Sequence, residues 1–405
     1  MSIKGERYDN LTDEVKKQLL NDSLQREIII SFPDDDIPDI TGENIISESL
    51  ELTQAISDGK EFKLGGCIAG QLTVRVINVD TELNGKRIKV MMKQSYSKGL
   101  LFPSYSVLPS ADLYCGYQSG VIEVSIFCGT VNSSSRQKNR AVKEIIAYDD
   151  LYLASQKYAY NYFTSLAIYS PKISLYDLRV YLCGNFLSNY DYENEFTGFN
   201  DSNKLSLKLD LVKSVFNDKT TIADLLSAYC ELNACFAIMS GEGKIKFIQI
   251  LNPKTEVVDN YSNLDFEEYT TRSINLVKFK YNKDSYFSYG HTEEEKQSWY
   301  ISDNIITACC TDIAGIVTSF NDNKGNNYIF YNLYAYRPFK ADVYGRWWLE
   351  CGDKVSIKTG FTDTETVDSF ILERTLKGTN GMRVRLTAEG TEYLGKDEIN
   401  ELQQN

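Results

Sequence analysis

Histidine is all but missing from this chain: His291 is the only one in 405 residues. Ser-His-Asp and Cys-His catalysis therefore have one route, through a side chain set in the acidic run Tyr289-Gly290-His291-Thr292-Glu293-Glu294-Glu295, which reads as an exposed loop. Paired cysteines are missing too. The nine cysteines, Cys67, Cys115, Cys128, Cys183, Cys230, Cys235, Cys309, Cys310 and Cys351, include no Cys-x-x-Cys pair, and with a single histidine they assemble no zinc-ligand set of ordinary spacing. The expectation is reduced thiols packed as small hydrophobes, in a protein that folds inside a reducing cell. No window approaches the ~18–20 uninterrupted apolar residues of a membrane span, and Met1–Lys17 is polar without an apolar signal core, so the chain reads as soluble, not inserted in a membrane, and made in a cytoplasm. Positive charge is short, at 43 Lys and Arg against 56 Asp and Glu. The net charge of -13 argues against stable nucleic-acid binding, which draws its affinity from cations on phosphates. A Gly-x-x-x-x-Gly-Lys-Ser/Thr loop is missing, and Gly65-Gly66 opens a strand. Carboxylates stand in runs at Asp34–Asp36 and Glu293–Glu295, but acids in a run face water, with no apolar pocket to raise one pKa for glycoside hydrolysis. No catalytic residue, cofactor or metal site is expected.

What is abundant is aromatic: 28 tyrosines and 19 phenylalanines against 7 prolines, a balance that favours strands and broad contact surfaces. The length suits two to four domains. A short helix is predicted over Asn10–Leu20, within an N-terminal arm, 1–24. Strands are predicted at Glu27–Phe32, Gly70–Val79, Arg87–Met92, Val121–Phe127 and Val142–Ala147, with Leu83-Asn84-Gly85-Lys86 as the hairpin turn between the second and third, which together make a small barrel or sandwich over 25–148. Asp149 then caps a helix, and two similar helix-turn-strand units begin at Ser174 and Thr221, giving an α/β module over 149–255. Strands return at Ser273–Tyr281, Tyr328–Tyr336, Lys354–Thr359, Thr366–Leu376 and Met382–Thr387, interrupted by the polar segment Asn282–Lys296 and a turn at Asn321–Gly325, within a second strand region over 256–388. A tail, 389–405, frays. The fold class is α+β, mainly antiparallel β, with two barrels and an inserted α/β module.

The most diagnostic stretch runs Tyr336-Arg337-Pro338-Phe339-Lys340-Ala341-Asp342-Val343-Tyr344-Gly345-Arg346-Trp347-Trp348-Leu349-Glu350-Cys351-Gly352-Asp353. Pro338 opens an extended segment, Gly345 permits a sharp reversal, and Gly352-Asp353 turns into the next strand. An aromatic-Pro-Phe strand leading through a Gly turn to a Leu-acidic-x-Gly-Asp-Val strand resembles a segment of the baseplate hub family of contractile phage tails and tail-like bacteriocins, and of the N-terminal part of tail-associated proteins of non-contractile tails. The likeness continues in Ile45-Ile46-Ser47-Glu48-Ser49-Leu50-Glu51-Leu52, in Leu64-Gly65-Gly66-Cys67-Ile68-Ala69-Gly70, in Ala147-Tyr148-Asp149 entering a helix, in Thr221–Phe247, and in the closing Ile371-Leu372-Glu373-Arg374-Thr375-Leu376-Lys377-Gly378. Many members read closer to Phe-Gly-Ser-Cys-Glu-Ala-Ser in the second of these, so Gly66 and Ile68 depart from the pattern.

The resemblance implies two barrels like the tail-tube subunit, and a homotrimer whose six barrels join a six-fold tail tube protein to a central spike or fibre among other baseplate proteins. It implies a structural protein of a virion tail baseplate or bacteriocin particle, assembled in a bacterial cytoplasm, and not an enzyme. A tail-tip cell-wall hydrolase and a receptor-binding tail protein are the alternatives. Because the chain stops soon after Lys377-Gly378, a following hydrolase domain is not expected. Candidate interface residues are Trp347, Trp348, Phe339 and Tyr336; strand alternation across the tryptophans is expected to bury one and leave the other at a subunit boundary.

Overall fold

The computed structural model describes residues 16–17, 19–20, 26–57, 62–99, 117–136, 141–160, 172–187, 206–208, 219–233, 235–248, 255–271, 276–281, 285–290, 299–302, 304–309, 335–360, 365–379 and 382–392. Strands β1 (Arg26–Ser31), β2 (Glu51–Ala55), β3 (Gln71–Ile77), β4 (Arg87–Gly99), β5 (Tyr117–Arg136) and β6 (Val142–Tyr148) come first. The middle holds α1 (Asp150–Gln156), β7 (Lys172–Ser174), α2 (Leu175–Phe186), β8 (Ser206–Lys208), α3 (Ile222–Leu232), β9 (Phe236–Met239) and β10 (Ile245–Ile248). Then follow β11 (Thr255–Val258), β12 (Tyr261–Phe266), β13 (Leu276–Tyr281), β14 (Ser285–Gly290), β15 (Trp299–Ser302), α4 (Ile305–Cys309), β16 (Phe339–Tyr344), β17 (Lys354–Lys358), β18 (Thr366–Phe370), β19 (Glu373–Lys377) and β20 (Arg383–Ala388). The class is α+β and mainly antiparallel, as the alternation predicts.

In the first region the wall runs β1-β4-β5-β6-β3. Leu72, Val74 and Val76 of β3, Ile88, Val90 and Met92 of β4, and Ile145 and Ala147 of β6 turn one face inward and have no solvent exposure. The remaining gap is spanned by one short segment. Ile40 and Ile30 exchange two 2.9 Å backbone bonds, while Ile46 N–H reaches the Arg75 carbonyl (2.9 Å) and Ile77 N–H the Asn44 carbonyl (2.8 Å). Segment 40–46 thus links β1 back to β3 and covers both edges.

Leu83–Lys86 forms a turn, with Lys86 N–H on the Leu83 carbonyl and Gly85 at φ 76°, but not the predicted hairpin. β3 pairs with β2 and β6, whereas β4 pairs with β1 and β5. The turn bonds sideways to β5, through Gly85 N–H to the Val131 carbonyl (2.8 Å), and Leu83 is fully buried, so this connection crosses the end of the barrel. Apolar alternation fixes which face of each strand is buried. It leaves the neighbour open.

The described strands of the second region fall into three sheets: β12-β16-β20-β19 end the long sheet, β11-β17-β18 form another, and β14-β13-β15 a third. The predicted continuous strand Thr366–Leu376 is broken at Ile371-Leu372, where successive amides serve different sheets: Ile371 N–H bonds Asp353 (2.9 Å) and Leu372 N–H bonds Thr387 (3.0 Å). Asp259-Asn260 carries the chain from β11 in one sheet to β12 in another. Strand β14 lies inside the polar segment expected to interrupt the strands; its Tyr286-Phe287 and Tyr289 have strand propensity, and it pairs with β13 from Leu276↔Gly290 to Tyr281↔Ser285. The turn at Asn321–Gly325, the stretch Tyr328–Tyr334, His291, Glu293–Glu295 and residues 393–405 lie outside the described residues. So does most of the predicted first helix, of which Lys16, Lys17 and Leu19 are helical.

The middle module follows its capping signals. Asp149 accepts from Leu151 N–H, Ser174 from Asp177 N–H, and Thr221 forms a reciprocal capping box with Asp224. Beyond α3, the turn and hairpin β9–β10 complete the second predicted helix-turn-strand unit. Gly66 accounts for one departure from the hub pattern: its carbonyl accepts from Ala237 N–H at 3.0 Å, and a Cβ there would lie 1.9 Å from the Ile56 carbonyl oxygen. A serine at 66 does not fit this packing. Among the described residues no helix is long and apolar enough to cross a membrane.

Candidate functional site at the junction of the strand regions

The two strand regions are hydrogen-bonded to each other. β2 pairs with β19 over Glu51↔Lys377 to Ala55↔Glu373, so one ten-stranded sheet passes through both. A buried polar network sits on this seam. Arg374 of β19, 3% exposed, donates from Nε (3.0 Å) and Nη2 (2.5 Å) to Gln54 Oε1 of β2, and from Nη1 to the carbonyls of Trp347 (3.2 Å) and Leu349 (2.5 Å). Gln54 Nε2 donates in turn to the Met239 carbonyl of β9 at 2.9 Å. Trp347 Nε1 donates to Gln94 Oε1 of β4 (2.9 Å), and Gln94 Nε2 donates to the Leu19 carbonyl of the N-terminal arm (3.0 Å). First region, second region, module and arm meet in one connected set. Among the described residues none of the Arg374 partners is a carboxylate, so its charge is held by amide and carbonyl dipoles alone. Such a group is costly to leave with any partner missing.

The segment that closes over the seam is the diagnostic stretch. Gly345 adopts φ 67° and its N–H bonds the Met382 carbonyl at 3.0 Å, reversing the chain after β16. Residues 345–353 then run as turns, and the Gly352-Asp353 turn leads into β17 as predicted, with Asp353 Oδ2 accepting from Glu350 N–H (2.8 Å). Because this is not a strand, alternation does not apply to the tryptophans. Both are buried, Trp347 at 0% and Trp348 at 4%, edge to face with centroids 5.7 Å apart. Lys16 of the arm lies 6.0 Å over the Trp348 ring and bonds Glu256 of β11 at 2.6 Å, while Arg346 bonds Asp259 (3.1 Å) and faces Glu256 (3.5 Å).

Of the other two candidate interface residues, Phe339 lies in β16 at 3% exposure and Tyr336 at 2%. Tyr336 donates its hydroxyl to the Glu389 carbonyl (2.5 Å) and packs edge-on against Phe62 at 6.1 Å. The structure places all four inside the single chain. Gln54, Gln94 and Arg374 belong to no motif that the sequence singles out, although a signal exists. Each is a polar residue in phase with an apolar series: Leu50-x-Leu52-x-Gln54-x-Ile56, Ile88-x-Val90-x-Met92-x-Gln94, and Leu372-x-Arg374-x-Leu376. A polar group on a core face must find partners across the fold.

The titratable groups nearby are structural. Cys351 donates its thiol to the Gln54 carbonyl at 3.3 Å, and burial pushes it up to about 12, which leaves it inert. Asp149, where β6 passes into α1, is pushed up to about 7 by burial, against the pull of the Gly70 and Leu151 N–H groups that it accepts at 2.7 and 3.0 Å. Its neighbour Asp150 is ion-paired with Arg87 of β4. Of the acidic triplet, Asp35 pairs with Lys86 (2.5 Å), while Asp34 is exposed. Cys128, Cys183, Cys230, Cys235 and Cys351 are buried outside any disulfide, and Cys67 is half-buried. Among the described residues no group of three or more His, Cys, Asp or Glu side chains is placed to hold a metal ion.

No family model matches this chain. No curated protein matches it either. Among solved structures, the chain is similar to the tail protein from Neisseria meningitidis MC58, at 10% identity over 90% of this chain and 97% of that one, with a TM-score of 0.49. It is similar to the 43 kDa tail protein of prophage MuSo2 from Shewanella oneidensis, at 9% identity over 90% and 97%, with a TM-score of 0.48. An E. coli component of the type VI secretion system, itself described as structurally similar to T4 bacteriophage tail proteins, follows at 7% identity over 90% and 77%, with a TM-score of 0.39. The resemblance read in the sequence is to the same class of protein. At such identities and TM-scores, the function proposed below rests on this chain's own residues.

Proposed function

We propose that this chain is a structural hub of a phage-type tail or baseplate, a trimeric adaptor between a six-fold tail tube and a central spike or fibre. The observation that carries the reading is the β2–β19 seam, which joins two strand regions in one sheet and ties them through a buried polar network. An adaptor needs its two tube-contacting units held at a constant angle, because play between them would misalign a ring of six. The seam supplies that stiffness without any reactive group. Symmetric closure of three copies also covers sheet edges that would otherwise pair indiscriminately. On this reading the partners are two further copies, the tube protein, the spike or fibre and neighbouring baseplate proteins. The particle is a virion tail or a bacteriocin, and the domain limits are those read from the sequence.

Native mass spectrometry and electron microscopy of the purified full chain, alone and with tube protein, test the proposal. A trimer with six pseudo-equivalent barrels around a channel is the expected result. A monomer that cleaves peptidoglycan, or one that binds a bacterial surface without binding the tube, would instead assign it to the hydrolase or receptor-binding class.

A further inference from the structure

The C-terminal end of α3 brings two thiols together. Cys235 N–H donates to the Cys230 carbonyl at 3.0 Å, and Asn233 N–H donates to the same carbonyl at 3.1 Å. A bond from residue i+5 back to residue i closes a Schellman turn, in which the side chains of those two positions meet over the helix end. Here both are cysteines, both free and both without solvent exposure. That backbone bond sets the two side chains beside each other, and burial, followed by the neighbouring Cys235, holds the Cys230 thiol well above its usual range.

We propose that Cys230 and Cys235 are a redox-convertible pair, a modification site that closes to an intramolecular disulfide when a small soluble disulfide of the glutathione class reaches it. In the first step the thiolate of one cysteine attacks a sulfur of the oxidant, a mixed disulfide forms and one reduced thiol leaves. In the second, the other cysteine, as thiolate, attacks the protein sulfur of that mixed disulfide and expels the second reduced thiol. Two protein thiols thus lose two electrons and two protons, and the oxidant's S–S bond takes up both. Both groups are shut off from solvent, so the reaction waits on opening of the helix end and the pair stays reduced in a reducing cell.

The bond would act on the junction described above. Cys235 leads directly into β9, whose Ala237 N–H bonds the Gly66 carbonyl and whose Met239 carbonyl receives Gln54. Closing the pair staples α3 to the strand that ties the module to the seam. Cys67 is the competitor, since it bridges to Ala237, two residues beyond Cys235, and is half-buried.

The test incubates the purified full chain with glutathione disulfide, blocks remaining thiols with iodoacetamide in denaturant, and maps the peptides. The expected map shows the single tryptic peptide between Lys219 and Lys244 two hydrogens lighter, with Cys230 and Cys235 both unalkylated. The oxidised chain should also melt a few degrees above the reduced chain, and Cys235→Ala should abolish that difference. Alkylation of both residues, or a bond from either to Cys67, would overturn the proposal; because the map is read on the wild-type chain, it decides the matter even if the variant fails to fold.

Discussion

The two strand regions are built from the same kind of element and held together in opposite ways. In the first, β4 and β5 pair continuously from Arg87↔Thr130 to Gly99↔Tyr117 with one bulge, and the inward faces of its strands are almost purely aliphatic. In the second, the described strands of four to six residues are split among three sheets, two pairs are parallel (β11 with β17 and β13 with β15), and the interior holds Arg346, Arg374 and the tryptophan pair. The first region is stabilised by burial spread over many equivalent positions. The second depends on a few side chains that each serve several elements. Apolar burial is non-directional and roughly proportional to area, so it tolerates small losses, whereas a buried polar group fails as a unit when one partner goes.

Arg374→Ala should break the comparison most sharply. It removes the Arg374 donors from Gln54 Oε1 and from the Trp347 and Leu349 carbonyls at the seam, and should cost about 3–5 kcal/mol in urea unfolding of the purified chain. If it costs under about 1 kcal/mol, the seam is not what couples the regions.

Asp149 gives the next effect. Its folded pKa of about 7 lies above the ordinary carboxylate range, so between about pH 4 and 7 the folded chain keeps a proton that the unfolded chain has lost. This group's contribution is therefore fully present below about pH 4 and declines by up to about 1.4 kcal/mol per pH unit as pH rises to 7. Asp149→Asn should remove that slope from melting curves recorded across the window, whatever it does to the absolute midpoint. An unchanged slope would assign the pH response to another group.

The mildest change sharpens the contrast from the other side. Ile145→Val trims one methylene in the first region and should cost about 0.5–1.5 kcal/mol in the same unfolding assay. A loss rivalling that of Arg374→Ala would mean that the first core is as brittle as the seam.

Alternation in Leu72-x-Val74-x-Val76 and Ile88-x-Val90-x-Met92 was enough to fix strand identity and the buried face, because a two-residue period has a single structural reading in an antiparallel wall. Caps at Asp149, Ser174 and Thr221 were equally legible, since an N-cap is satisfied within three residues of chain. The partner of each strand was not legible. Leu83–Lys86 has the chemistry of a hairpin turn, yet its strands lie apart in the barrel, and nothing within four residues records that β5 takes the place beside β4. The junction was hidden for the same reason: Gln54, Gln94 and Arg374 lie far apart in the chain, and only their phase among apolar neighbours marks them as inward-facing. The sequence by itself determined the class of fold, the helix starts and the apolar faces, all set by interactions spanning a few residues. Tertiary structure alone decided that Trp347 and Trp348 both turn inward and that one buried arginine ties two regions together, because a long-range contact is settled by packing the whole chain at once.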